Sequence, residues 1–422
     1  MEALMSWVKL SGRVENLKGS ATVAVATRAK ALKAEGKDII SFGAGEPDFD
    51  TPEVIKQAAI EALKAGRTKY EAANGPKDAR EAVAAKLRAD NGLDVTADGV
   101  VIVSGAKAAF FQACFALLGD PSPDGQPWEV IIPTPAWVSY EPIVNMCGGR
   151  VVEVDLKPED GFVLRPEALR KAITPRSRMV VINTPSNPCG SVISCQDLDV
   201  LAEVVADAAR AIAPELMIVT DEIYEKLVFD GLEHASIGAN PHVADRTLTI
   251  NALSKSYAMT GWRVGYAAAT GALAEKLIPA MARVQAQTIT NITSFLYPAI
   301  SVAFDESAAD IERIRTTFEG RRNLVMDLLG KIGGVQTARP FGAMYAFPRI
   351  ADLYGKTSAG GADVRDSLSF CEALLEEHGV AMVPGSAFGG RGDEHVRISF
   401  ACSDQDINVG VERMGEFIAG LH

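Results

Sequence analysis

Short apolar runs rich in β-branched residues recur through the first two thirds of the chain, at Val100 to Val103, Val130 to Ile132, Val151 to Val154, Met179 to Ile182, Met217 to Val219 and Thr247 to Ile250. Four of them are continuously apolar, the pattern of a strand buried on both faces, while Glu153 interrupts Val151 to Val154 and threonines alternate with apolar residues in Thr247 to Ile250. Stretches with apolar residues at helical spacing separate them. Leu198, Leu201, Val205 and Ala208 form one such stripe, opened by Ser194-x-x-Asp197, a capping pair. Thr51-Pro-Glu predicts another helix start, with Thr51 as cap and proline in the first turn, running to about Ala65.

This alternation predicts an α/β fold, a mostly parallel sheet covered by helices. Beyond Tyr297 the pattern changes to long helical segments such as Ile311 to Leu329, with short strands at Met344 to Phe347 and Val396 to Phe400. A second, smaller α+β unit is expected there. The organisation predicted is an N-terminal arm and part of the small domain over 1–48, a large domain over 49–297 and a small C-terminal domain over 298–422. No tandem repeat is visible, and the Gly-rich piece Ser358 to Gly361 is a short loop.

Composition narrows the class. At 422 residues, 48% hydrophobic and 23% charged, the chain has an ordinary globular make-up and enough length for two or three compact units. No apolar run approaches a membrane span, and Met1 to Leu10 lacks a basic stretch followed by a continuous apolar one, so a cytoplasmic protein is expected. Six cysteines are scattered without paired spacing, which fits reduced thiols, and five histidines form no metal-binding pattern. A net charge of -12 argues against nonspecific nucleic-acid binding.

Ligands of open α/β sheets sit beyond the carboxyl ends of the strands, where this chain carries a coherent set of polar groups. Asn183-Thr-Pro-Ser-Asn187-Pro-Cys-Gly190 follows the fourth run and Thr220-Asp221-Glu-Ile-Tyr224 the fifth. Ser104-Gly105-Ala106-Lys107 follows the first and opens a helix, an arrangement suited to a phosphate. After the sixth run comes Asn251-Ala-Leu-Ser-Lys255-Ser-Tyr-Ala-Met-Thr-Gly-Trp-Arg263, with an apolar strand resuming at Val264 to Ala268. A lysine among apolar neighbours and beside a second cation loses proton affinity, as an amine must to condense with an aldehyde. An arginine offers a planar fork for phosphate. Aldehyde plus phosphate points to pyridoxal phosphate. Taken singly, each residue has a plainer reading: Lys255 as a loop lysine reaching solvent, Asp221 as a helix cap, Asn187-Pro as a turn.

In combination these blocks resemble the class I aminotransferases of the pyridoxal phosphate fold-type I superfamily, most closely the Ib subgroup of bacterial aspartate aminotransferases. The likeness runs from Ser20-Ala-Thr-Val-Ala-Val through Ala44-Gly-Glu-Pro-Asp-Phe49, Thr68-Lys-Tyr70, Pro135-Ala-Trp-Val-Ser-Tyr140, Asn187-Pro, Asp221-Glu-Ile-Tyr224 and Ser254-Lys255 to His395-Val-Arg-Ile-Ser399. It implies a fold-type I transferase that moves the amino group of an acidic amino acid to a 2-oxo acid in two half-reactions, as a homodimer with shared sites. By the same resemblance, Lys255 is the Schiff-base lysine and general base, preceded by Ser254 at the cofactor. Asp221 pairs with the pyridine nitrogen, Asn187 and Tyr224 bind the ring hydroxyl oxygen, and Trp137 stacks on the ring. Arg263, Gly105 and Ala106 hold the phosphate, reached by Tyr70 from the neighbouring subunit. Arg397, with the backbone at Gly45, clamps the substrate α-carboxylate.

The distal carboxylate is assigned by the resemblance to Lys107, with Lys18 and Thr22 from the arm, since Gln287 stands where the Ia subgroup has an arginine. Three positions depart from the family pattern: Cys189 for threonine, Ala252 for a serine or threonine, and Asn291 for serine. Prephenate or aromatic amino-group transfer, a β-lyase or decarboxylase of the same fold, and a catalytically silent scaffold are the competing expectations. Gly355-Lys-Thr, Arg391-Gly-Asp, Asn291-Ile-Thr and Gly43-Ala-Gly45 match short motifs without the context those motifs need.

Overall fold

Seven of the apolar runs pair into one sheet, and their order accounts for the placement of everything polar. The computed structural model describes residues 8–15, 17, 19 and 21–422; Lys18 lies outside the described residues. The strands are Val100–Val103 (β1), Glu129–Thr134 (β2), Arg150–Asp155 (β3), Ser177–Asn183 (β4), Met217–Asp221 (β5), Thr247–Ala252 (β6) and Gly265–Ala268 (β7). They lie in the order β1-β7-β6-β5-β4-β2-β3. All pairings are parallel except those of β7, which runs antiparallel to both β1 and β6. Every residue of β1, β5, β6 and β7 is buried, as expected of strands covered on both faces.

Helices supply that cover. The stripe read at Leu198, Leu201, Val205 and Ala208 is the buried side of Cys195–Ala211, and Ser194 Oγ accepts from Asp197 N at 3.1 Å as its cap. The cap expected at Thr51 is not one. The helix is Glu53–Lys64 with Pro52 at the cap position, and the Thr51 hydroxyl instead donates to Ala258 O at 2.6 Å, tying the helix start to the turn after β6. A tertiary acceptor has outcompeted the local amide, an outcome that local sequence does not reveal.

Past Tyr297, the long helix Ala308–Leu329 leads to Tyr345–Ala346 (β8), Val383–Pro384 (β9) and Val396–Ser399 (β10), a small antiparallel sheet ordered β9-β10-β8. The N-terminal segment joins this region. Ile40–Ser41 pairs in parallel with Val380–Ala381, and Ala29, Leu32 and Ile39 pack on Leu375 and Ala381. Arg321 forms a two-point pair with Asp48, at 2.6 and 2.8 Å, fixing the segment that leads into Glu53–Lys64. Among the described residues, no helix is long and apolar enough to cross a membrane.

Replacing Ser194 by alanine removes an exposed helix cap. Loss of about 1 kcal/mol of stability is expected, seen as a lower urea midpoint with an unaltered slope; an unshifted midpoint would remove the capping role.

Candidate active site

The carboxyl ends of β4, β5 and β6 and the turn before the helix Ala106–Leu118 open on one cleft of about 360 Å³. Thr22, Gly45, Ala106, Lys107, Trp137, Asn187, Asp221, Tyr224, Ser254, Lys255, Arg263 and Arg397, all singled out from sequence, line it together. Tyr70 does not. It is 87% exposed, on a loop whose Glu71 N donates to Asn291 Oδ1 at 3.3 Å, so the departure at Asn291 supports the Tyr70 loop. Four cations, Lys107, Lys255, Arg263 and Arg397, face two carboxylates, Glu46 and Asp221. The cleft is thus net positive in a chain of net charge -12.

Lys255 stands on the tight turn between β6 and β7. Ala258 at φ 50° and Arg263 at φ 57° adopt the left-handed conformation that side chains other than glycine rarely take. Such strain costs about 1–3 kcal/mol per residue and persists where surrounding structure imposes it. The amine donates to Gly45 O, and the half-buried side chain lines the cleft. Burial lowers its pKa to about 8, helped by Arg397 and Arg263, with Glu46 and Asp221 pulling the other way.

Asp221, the last residue of β5, shows the complementary effect. Burial raises its carboxyl to about 6, although a hydrogen bond from Tyr140 Oη at 2.7 Å and one from Ile223 N favour the charged form. Tyr224 Oη is 2.9 Å from Tyr345 Oη, and burial lifts the Tyr224 hydroxyl well above its ordinary value. Both phenols are therefore neutral, and one donates to the other.

At the other end, Gly105 takes φ 81° at the start of Ala106–Leu118, and a Cβ there would collide with the Arg263 guanidinium. Arg263 Nη1 donates to Thr260 O at 2.8 Å. On β7, Gly265 lets the strand pass so close that a Cβ would lie 2.7 Å from Gly105 C. Helix start, glycine turn and guanidinium thus form a cradle with room for an anion. Beside it Lys107 Nζ lies 5.1 Å from the Trp137 ring centroid, its pKa lowered by burial and then by Arg263.

Arg397, on β10, is fully enclosed. Nη1 donates to Asn187 Oδ1 at 3.1 Å and Nη2 to Gly43 O at 3.0 Å, while Nε has no partner. The guanidinium lies 4.5 Å from the Tyr345 ring centroid. A buried cation with spare donors and no paired carboxylate is costly unless an anionic ligand joins it.

Sequence reasoning gave no role of their own to Tyr140, Tyr345, Asn183 or Glu46. Asn183 Nδ2 donates to Asp221 O at 2.9 Å, and Asn183 Oδ1 accepts from Asn187 N at 2.9 Å, binding two strand ends together. Glu46 accepts from Thr260 Oγ1 at 3.0 Å. Tyr140 closes the Pro135 to Tyr140 block and Glu46 belongs to the Ala44 to Phe49 block, so their place in those blocks was the available signal. Of the departures, Cys189 and Ala252 are both buried.

Residues 37–414 match the family profile described as "Aminotransferase class I and II". An aspartate/prephenate aminotransferase of Cereibacter sphaeroides is 42% identical over 415 residues, covering 98% of this chain and 99% of the relative. Among solved structures, the aspartate aminotransferase of Rhizobium meliloti superposes with a TM-score of 0.91 at 39% identity, over 98% of this chain and 100% of the other. The Thermus thermophilus aspartate aminotransferase with maleate gives 0.87 at 38%, over 97% and 100%. The chain belongs to the class I and II aminotransferase family, enzymes that transfer amino groups.

Tyr140→Phe removes a donor to the charged Asp221. Such bonds are worth about 1.5–3 kcal/mol, so ionisation should move upward by roughly one to two pH units. Carbon NMR of aspartate-labelled, ligand-free protein reads the change directly, and an unmoved midpoint would mean the bond carries nothing.

Proposed function

We propose that this chain is an aspartate aminotransferase that carries pyridoxal 5′-phosphate on Lys255. One observation carries the reading: a half-buried lysine with depressed proton affinity stands in a single cleft with an enclosed carboxylate, a glycine-arginine anion cradle and a buried arginine without a carboxylate partner. The donor set fits the cofactor at each of its polar groups. Asp221 would hold the pyridine nitrogen, Asn187 and Tyr224 the ring hydroxyl oxygen, and Gly105, Ala106, Arg263 and Ser254 the phosphate end. Trp137 would cover one ring face. When bound, pyridoxal phosphate supplies an electron-poor ring that accepts the electron pair released at the substrate Cα.

The chain's own groups do the rest. Arg397 would take the substrate α-carboxylate with its spare donors, beside the backbone at Gly45. Lys107 and Thr22, with Lys18, would meet a distal carboxylate, and the net positive lining favours a dicarboxylic substrate over a neutral one. Once free, the Lys255 amine is the base that removes the Cα proton. Asp221 must be ionised to hold a protonated ring nitrogen, which its value of about 6 permits at neutral pH.

The solved relative with maleate, a dicarboxylate, supports the acidic substrate. Prephenate is a second acceptor to test, because the Cereibacter relative is named for it. Exposure of Tyr70 beside the Asn291 loop supports a homodimer in which Tyr70 reaches the neighbouring site. Six free cysteines fit a reducing, cytoplasmic setting.

Loaded protein mixed with aspartate and no acceptor should release one equivalent of oxaloacetate per site and stop; pyruvate or ammonia would make the chain a lyase instead. Lys255→Ala should lose about 10²- to 10⁴-fold or more in turnover, the worth of a general base, with the fold kept by circular dichroism. Near-normal turnover in that variant would refute the assignment. Capture of the cofactor by stripped protein should accelerate as pH rises through about 8, where the buried amine becomes neutral, and a rate rising only toward pH 10 would contradict the burial argument.

A further inference from the structure

The turn that carries Asp221 and Tyr224 is fastened from behind. Asp221 and Tyr224 line the cleft, whereas the residue after each, Glu222 and Glu225, is buried outside it. The Glu222 carboxylate accepts four hydrogen bonds. Oε1 takes the hydroxyls of Thr220 at 3.1 Å and Ser236 at 2.6 Å; Oε2 takes Asn91 Nδ2 at 2.9 Å and His234 Nε2 at 3.1 Å. Asn91 Nδ2 also reaches Glu225 Oε2 at 2.7 Å, while the buried Lys86 ammonium pairs with Glu225 Oε1 and donates to Asn91 Oδ1 at 2.8 Å. Lys86 and Asn91 come from the helix Lys77–Asn91, more than a hundred residues before the turn they hold.

One ligand atom from each of Glu222, Glu225 and His234 lies within 4.8 Å of the others, a spacing compatible with a metal ion. The positive charge there is already furnished by the protein. Burial alone would raise the Glu225 carboxyl, yet Lys86 and His234 outweigh it and hold it near 2; burial would lower His234, and Glu222 reverses that. The cluster therefore has its own cation, with every carboxylate oxygen met by at least one donor.

We propose that Glu222 is a positioning residue: clamped by Thr220, Ser236, Asn91 and His234, it fixes the 221–225 turn and thereby the Asp221 carboxylate and Tyr224 hydroxyl that face the cofactor. The inference rests on the reading that Asp221 and Tyr224 hold that cofactor. The backbone gives the clamp its leverage. Glu222 N donates to Ile250 O at 2.9 Å and Glu225 N to Glu222 O at 2.9 Å, so the residue cannot shift without moving both neighbours. A glutamine is a poor substitute. Its N–H groups could donate to the Thr220 and Ser236 hydroxyls, but those hydroxyls would lose the acceptor for their own protons, and the negative charge facing His234 would be gone.

The test uses full-length protein stripped of and reloaded with pyridoxal phosphate, as wild type, Glu222→Gln and His234→Gln. Glu222→Gln should weaken cofactor binding by at least about tenfold, the lower range for leaving a buried donor unpaired, and should shift the pH midpoint of the bound cofactor's absorbance. A merely structural role would lower the unfolding temperature of the stripped protein and leave that midpoint alone, which would overturn the proposal. His234→Gln keeps an N–H donor to Glu222 but no charge, so a smaller loss with a midpoint shift in the same direction is expected. It carries the test if Glu222→Gln does not fold, and wild-type affinity with an unmoved midpoint in His234→Gln would then overturn the proposal. Normal uptake by wild type with unchanged binding and spectrum in Glu222→Gln would overturn this inference alone, whereas no uptake by wild type would overturn it together with the functional reading. Stoichiometric Zn²⁺ binding that Glu222→Gln abolishes would also overturn it, by making Glu222 a metal ligand.

Discussion

Everything in the cleft depends on keeping one lysine amine out of water. At its ordinary value of 10.5, about one amine in three thousand is neutral at pH 7; at about 8, roughly one in ten is. The difference is the desolvation cost of the ammonium, and the protein sustains it with a tight turn, two left-handed residues and neighbouring guanidinium groups. Asp221 experiences the same low-polarity surroundings with the opposite sign. Its carboxyl is raised only to about 6 because Tyr140 and the Ile223 amide donate to the charged form. Near neutrality the site therefore holds an ionised carboxylate and a partly neutral amine together, the pair that carbonyl chemistry at an amino group calls for.

The sheet makes that combination possible. Parallel strands β4, β5 and β6 end at one level, so Asn183, Asp221 and the Lys255 turn are neighbours despite wide separation in sequence. Antiparallel β7 then runs back to β1 and brings Arg263 to the glycine turn that opens Ala106–Leu118. Arg397 arrives from the small sheet, held by Asn187 of one region and Gly43 of the N-terminal segment. A single cavity thus gathers groups from three parts of the chain, and the polarity of its lining follows from which strand ends converge there.

The sequence made the strands legible because buried parallel strands are written as continuous β-branched runs, and all six central runs and Val264 to Ala268 are strands within a few residues. The cleft-lining residues were legible for a different reason: polar groups directly after such runs have only one side of the sheet to occupy. What was hidden depends on tertiary partners. Thr51 looks like a cap and bonds Ala258 instead; Tyr345 looks like core and meets Tyr224; Glu222 looks like one more acidic residue and is the acceptor for four donors. Lys86 and Asn91 carry no local signal at all, since their significance lies in carboxylates more than a hundred residues away.

The central claim is that the ε-amine of Lys255 is the group that joins the cofactor aldehyde. Borohydride reduction of pyridoxal-phosphate-treated protein, followed by peptide mass mapping, tests it most directly. The account predicts a single modified site, on the peptide containing Lys255. Labelling spread over surface lysines, or an unmodified Lys255 peptide, would contradict it.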